Sequence, residues 1–130
     1  MSNKIKVDLG NNSYNISLIE DFKASVTKFA SSTESQCMLI TQEEIFNIYK
    51  NSFNELSDLA NVNIFIINQG EKAKSFDTIS LIVNDMARKH FDRSSLVFAV
   101  GCCVVGDVAG FAASIFMRGI KYIQYPTTLL

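Results

Sequence analysis

Apolar and polar residues alternate through Ile5, Val7 and Leu9, break at Gly10-Asn11-Asn12, and alternate again through Tyr14, Ile16 and Leu18. That pattern predicts a β-hairpin with a three-residue connection. The period then lengthens: Phe22, Val26, Phe29 and Ala30 fall at helical spacing, ended by Ser31-Ser32-Thr33. Cys37-Met38-Leu39-Ile40 is a continuous apolar run, as in a strand covered on both faces. Thr41 stands where it can cap the next helix, with Glu43 and Glu44 in the first turn and Ile45, Tyr49, Phe53 and Leu56 along one face. The alternation repeats. Ile64-Phe65-Ile66-Ile67 predicts a second buried strand, Asn68 to Lys74 a polar loop, and Phe76, Ile79, Val83 and Met86 a helix capped by Ser75. Leu96 to Val100 is a third strand and Tyr122 to Tyr125 a fourth, closed by Pro126.

Between the last two strands lies Gly101-Cys102-Cys103-Val104-Val105-Gly106-Asp107, leading into Val108-Ala109-Gly110-Phe111-Ala112-Ala113. A β-branched run that stops at glycine and resumes as an Ala/Gly-rich segment reads as strand, tight turn and helix. The unpaired N–H groups and dipole of such a helix start favour an anion such as phosphate. Gly106, Gly110 and Ala113 leave one helix face nearly bare, so another element is expected to approach it closely. The turn is neither G-x-G-x-x-G nor followed by Gly-Lys-Ser/Thr, so neither standard phosphate-loop pattern is met.

Apolar strands alternating with helices predict an α/β fold: a Rossmann-like parallel sheet flanked by helices on both faces, with the hairpin at its N-terminus. Ligands of such sheets bind at the carboxyl ends of the strands. Thr41-Gln42, Gln69 to Lys74, Gly101 to Asp107 and Thr127-Thr128 all fall there.

Composition narrows the function. The 130 residues are one domain's worth, 1–130, and at 48% hydrophobic and 19% charged they can build a core. A net charge of −1 gives no basic field for nucleic acid. Leu96 to Met117 is long enough to span a bilayer. Asp107 near its centre, costing about 2.5–3.5 kcal/mol on insertion scales, and its glycines argue for a soluble, cytoplasmic chain without a membrane partner. The first residues lack the apolar run of a signal peptide, and three cysteines without framework spacing suit a reducing compartment. With His90 as the single histidine, no zinc site with two or three histidines can be built.

Several residues have two readings. Glu71 and Lys74 either hold a nucleotide or belong to a solvated loop. Asp107 either orients a ligand or complements the dipole from a helix's first turn. Arg118 either binds an anion or, with Gly119, ends a helix. Thr127 and Thr128 contact a ligand or cap a further helix running into Leu129-Leu130. His90 reads as the inner edge of a helix, and Cys102 and Cys103 as small apolar fillers.

Taken together, Leu9-Gly10 with Ser13-Tyr14, Gly70-Glu71 with Lys74-Ser75, Gly106-Asp107 with Gly110-Phe111-Ala112-Ala113, Arg118-Gly119 and Pro126-Thr127-Thr128-Leu129-Leu130 resemble 3-dehydroquinate synthase. The resemblance runs in order along essentially the whole chain and corresponds to that family's N-terminal, NAD-binding half. It implies NAD on Gln69, Gly70, Glu71, Lys72, Ala73 and Lys74. It also implies the pyrophosphate over Cys103, Val104, Val105, Gly106 and Asp107, contacts from Thr127 and Thr128, and an adenosine-ribose contact at Thr41-Gln42. Arg118 matches an arginine that reaches the sugar-phosphate substrate of the neighbouring subunit in a homodimer. The implied reaction converts 3-deoxy-D-arabino-heptulosonate 7-phosphate to 3-dehydroquinate and phosphate in the shikimate pathway of aromatic amino acid biosynthesis. A zinc or cobalt ion would sit in a C-terminal helical metal-binding domain absent here, so the chain reads as an inactive fragment.

Two departures stand out. Gln42 occupies a position where the family has Asp or Asn, and Gly101-Cys102-Cys103 stands where it has three glycines. Cysteine side chains are expected to crowd the pyrophosphate and to resist positive φ. Two alternatives follow: another sugar-phosphate cyclase, making inosose or valiolone-type rings, or a non-catalytic nucleotide-binding or dimerising module.

Overall fold

The computed structural model describes residues 3–128. The hairpin pairs β1 (Lys4–Val7) with β2 (Tyr14–Ser17), setting Ile5 opposite Ile16 and Val7 opposite Tyr14. Its connection is longer than the expected three residues. Asp8 to Ser13 join the strands around a turn of 3-10 helix at Gly10–Asn12, with the Leu9 N–H donating to Ser13 Oγ at 2.9 Å.

The remaining strands form one parallel sheet: β3 (Cys37–Gln42), β4 (Val62–Ile67), β5 (Leu96–Gly101) and β6 (Lys121–Pro126), in the order β4-β3-β5-β6. The chain passes from β3 outward to β4 and then crosses back to β5 on the other side, so the order reverses between β3 and β5. β3 is buried along its whole length, as its unbroken apolar run predicts. β4 differs from the expected buried strand: it is the sheet edge, and Ile66 is 44% exposed. An apolar run shows that a strand meets a core, but not that it has neighbours on both sides.

Helices cover both faces. α1 (Phe22–Ser31) and α3 (Lys50–Ser57) pack Val26, Ala30, Phe53 and Leu56 against Leu39, Phe98 and Val100. On the opposite face, α4 (Phe76–Arg88) and α5 (Cys103–Ile115) pack Ile82, Met86, Val105 and Ala109 against Met38, Ile40, Val97 and Ala99. Residues alternate along β3 and β5 between these two cores, as the strand's two-residue period requires. Ser75 caps α4 as predicted, its Oγ accepting the Thr78 N–H at 3.2 Å.

The helix expected from Glu43 to Leu56 is broken. α2 (Glu43–Ile48) stops at Tyr49, whose φ of −109° and ψ of 30° separate it from α3. No Gly or Pro marks the break. Tyr49 meets Phe22 edge-on, ring centroids 5.4 Å apart, and the break leaves Phe53 free to enter the core between Phe22 and Phe46. Thr41 does not cap α2: it remains inside β3, and Gln42 takes the cap position without a side-chain bond to the helix. His90 is likewise not on a helix edge. It lies past the end of α4 with φ 60°, exposed, while the Phe91 N–H reaches back to Met86 O at 3.1 Å. That is the left-handed helix stop usually built on glycine.

The bare face of α5 meets β6. A Cβ on Gly106 would collide with the Gln124 side chain, and one on Gly110 would stand 3.4 Å from the Tyr122 ring. α5 begins at Cys103, earlier than expected, which moves Asp107 out of the first turn. It ends at Ile115, before Arg118. Met117, Arg118 and Gly119 follow with φ of 50°, 66° and 106°. Thr127 and Thr128 lie beyond β6, and the helix expected to continue through Leu129-Leu130 falls outside the described residues. Among the described residues, no helix is long and apolar enough to cross a membrane.

Phe53 is fully buried between two aromatic rings. Phe53→Ala is expected to lower the free energy of unfolding by about 3–5 kcal/mol, read from urea titration. Burial also pushes the Cys37 thiol from 9.0 to about 11. A raised folded-state pKa means that the unfolded chain releases this proton first. Stability is therefore expected to decline as pH rises through that interval, and Cys37→Ala should lessen the decline in parallel urea titrations.

Candidate functional site

The site is built where the strand order reverses, at the carboxyl ends of β3 and β5, and short contacts join the loops there. Gln42, 4% exposed, donates from Nε2 to Asn68 O just beyond β4 at 3.0 Å and accepts from Cys102 Sγ at 3.4 Å. Gln69 Nε2 donates to Glu44 Oε2 at 2.6 Å, joining the loop after β4 to α2. The Thr127 N–H donates to Gly101 O at 3.0 Å, joining the end of β6 to that of β5. Lys74 closes the set: its ammonium lies 2.7 Å from Asp107 Oδ2 and 3.4 Å from Glu71 Oε2. Hydrogen bonding to Asp107, then to Glu71, raises the Lys74 pKa above its ordinary value despite some desolvation, so the side chain is a cation at neutral pH.

The predicted site residues divide by what they can offer. Gln69, Gly70, Glu71, Lys72, Lys74, Cys103, Asp107, Thr127 and Thr128 are exposed at this edge. Ala73, Val104, Val105 and Gly106 are buried, leaving the backbone as their means of contact. Thr41 is 0% exposed, and its Oγ1 has no hydrogen-bond partner among the described residues. Gly70 takes φ 76° where the loop turns into a single 3-10 turn at Glu71–Ala73. Arg118 is not here. It precedes β6, so the length of a six-residue strand, about 20 Å, separates it from the other residues.

The start of α5 fits an anion. Cys102 occupies the cap position but makes no side-chain bond to the helix, so it leaves the first-turn N–H groups uncapped. The expected backbone strain does not arise at the two cysteines. Cys102 has φ −78° and ψ −171°, ordinary for any residue, and Cys103 is already helical. The restricted conformation falls on Gly101, at φ 157°, where a Cβ would stand 2.6 Å from Val105 Cγ2. That is the one position of the three that keeps glycine. Cys102 packs partly into the core as the filler expected, whereas Cys103 is exposed.

Beside the Lys74–Asp107 pair, Ser75, Phe76, Ile79, Val108 and Phe111 line an open cleft of about 250 Å³. Phe76 is 83% exposed at its rim. A larger depression beside Lys23, Thr27 and Glu55 lies on the opposite helical layer and contains none of these residues. Among the described residues no group of three or more His, Cys, Asp or Glu side chains could hold a metal ion.

Signals missed in the sequence were Glu44 and Asn68. Each acts by facing a neighbouring loop, which no local spacing encodes.

Known proteins sharpen this picture. Residues 64–130 match the family profile described as 3-dehydroquinate synthase N-terminal. A 3-dehydroquinate synthase of Prochlorococcus marinus (strain MIT 9312) is 39% identical over 98% of this chain, and one of Dictyoglomus thermophilum 36% identical over 98%. The chain spans 37% and 35% of the length of these relatives. A crystal structure of 2-deoxy-scyllo-inosose synthase superposes with a TM-score of 0.80 at 26% identity, covering 96% of this chain and 36% of that one. Another, complexed with carbaglucose-6-phosphate, NAD+ and Co2+, gives a TM-score of 0.76 at 25% identity, covering 95% of this chain and 35% of that one. By the profile match and by identities of 36–39% along nearly its whole length, the chain belongs to the 3-dehydroquinate synthase family, whose N-terminal domain it matches.

Proposed function

We propose that this chain is the NAD-binding half of an enzyme that converts 3-deoxy-D-arabino-heptulosonate 7-phosphate to 3-dehydroquinate and phosphate, a phosphate-eliminating lyase of the cytoplasmic shikimate pathway. The observation that carries the reading is the stitched carboxyl edge, where Glu71, Lys74 and Asp107 meet beside an uncapped helix start. A relative of the same fold is described with NAD+ bound, which supports the same ligand here. Three free cysteines suit a reducing compartment.

In this reading the backbone of Cys103, Val104, Val105 and Gly106 receives the pyrophosphate, with the Lys74 cation near it. Gln69, Gly70, Glu71, Lys72, Ala73 and Lys74 form one wall and Thr127 and Thr128 another. Asp107 holds Lys74 in place, and Thr41 and Gln42 form the floor on the adenosine side. When bound, NAD supplies a reversible hydride acceptor. The residues named above bind and orient it. The zinc or cobalt ion of the reaction would be held by the part of the relatives that this chain does not span. Arg118, a strand's length from the loops, would serve the sugar phosphate of a second subunit in a homodimer.

A second reading, another sugar-phosphate cyclase, is favoured by the superposition on 2-deoxy-scyllo-inosose synthase. The higher identity to 3-dehydroquinate synthases favours the first.

Titration calorimetry should show NAD binding to the chain, weakened about tenfold by Lys74→Ala, which removes the cation expected beside the pyrophosphate. No heat with millimolar NAD would overturn the proposal. With the heptulosonate phosphate, NAD and zinc or cobalt supplied, the isolated chain is expected to release no inorganic phosphate. Measurable release would show that the half assigned here is sufficient for the chemistry.

A further inference from the structure

We propose that Gln42 is a positioning residue for the phosphate-facing start of α5, acting through the side chain of Cys102; its effect on NAD rests on the reading above. Gln42 ends the central strand at the point where the strand order reverses, and its amide touches the continuation of both neighbouring strands. The chemistry fixes which way the amide faces. Asn68 O can only accept, so Nε2 must point to it, and Oε1 is then left to accept the Cys102 S–H. With both ends engaged and the side chain almost wholly buried, Gln42 cannot turn out to a ligand without abandoning two partners.

The consequence falls on Cys102. A residue at a helix cap normally turns its side chain onto the N–H groups of its own first turn. Here the side chain is drawn the other way, back towards β3, and makes no bond to α5. Gln42 thereby keeps the thiol off the N–H groups that a pyrophosphate would need. The pairing depends on the cysteine, because a glycine at 102 would offer Gln42 Oε1 no side-chain donor.

A double-mutant cycle on the full chain tests this, using Gln42→Met, Cys102→Gly and the two together, with NAD affinity from calorimetry. Gln42→Met is expected to weaken NAD about tenfold. In the Cys102→Gly background the same change should cost at least threefold less. Alkylation by iodoacetamide, localised by fragment-ion mass spectrometry, supplies a readout that needs no NAD. Cys102 should react several-fold faster in Gln42→Met, while exposed Cys103 keeps its rate and buried Cys37 stays inert. Additive effects on affinity, or an unchanged Cys102 rate, would overturn the proposal. If the unaltered chain binds no NAD, the functional reading fails, and the Cys102 rate alone decides whether Gln42 holds that side chain. Should Gln42→Met fail to fold, Gln42→Asn, which keeps the amide but shortens its reach, must produce the same acceleration or the proposal falls.

Discussion

Burial of β3 between two neighbouring strands and two helical layers is the constraint on which the rest of this end of the molecule depends. A strand covered on all sides must satisfy its polar groups along its length or at its end. β3 is apolar from Cys37 to Ile40 and carries its two polar side chains, Thr41 and Gln42, together at the carboxyl end. Gln42 meets the requirement by bonding to the loops after β4 and β5. Those bonds bring together the segments that form the candidate site. Thr41 leaves the requirement unmet, and its orphaned hydroxyl marks the same place as the one where local polarity is tolerated without a protein partner.

The second determinant is the small-residue face of α5. Gly106 and Gly110 let Gln124 and Tyr122 of β6 lie against the helix backbone, and this close seating fixes where α5 begins. Position 106 is the tighter of the two: a Cβ there would displace the Gln124 amide, whereas one at 110 would meet the Tyr122 ring at ordinary contact distance. Gly101 in turn must lack a side chain because Val105 already fills the space. Glycine is thus demanded at 101 by packing and conformation together, while 102 and 103 are free to carry side chains. The loop departs from three glycines at the two positions where this backbone makes no such demand.

What the sequence reveals and what it conceals follow from the range of each interaction. The strands, the hairpin and the Ser75 cap were legible because periodicity and capping act within a few residues. Hidden were the break at Tyr49, made by an aromatic contact with Phe22 rather than by Gly or Pro, and the edge position of β4, which depends on strand order. The left-handed stop at His90 was hidden too, because a residue poorly suited to φ 60° gives no local sign of adopting it. For the site, the four converging loops were legible from topology alone. The inward turn of Gln42 was not, since a glutamine at a strand end is equally able to face solvent.

The separation of Arg118 from the other site residues bears on how the fold divides its labour. The loops of the candidate site gather at one end of the sheet, while Arg118 emerges at the other from two successive non-glycine residues with positive φ. Such backbone is costly and persists when its surroundings over-determine it. Here Phe116 and Ile120, both buried, pin the two ends of the turn, and the Ile120 N–H bonds to Ala113 O at 2.9 Å. The strain is therefore held by the core and not by the arginine, whose side chain remains exposed. A turn anchored in this way fixes the backbone of Arg118 at the end of the sheet opposite the loops of the candidate site, so the core decides where this arginine emerges.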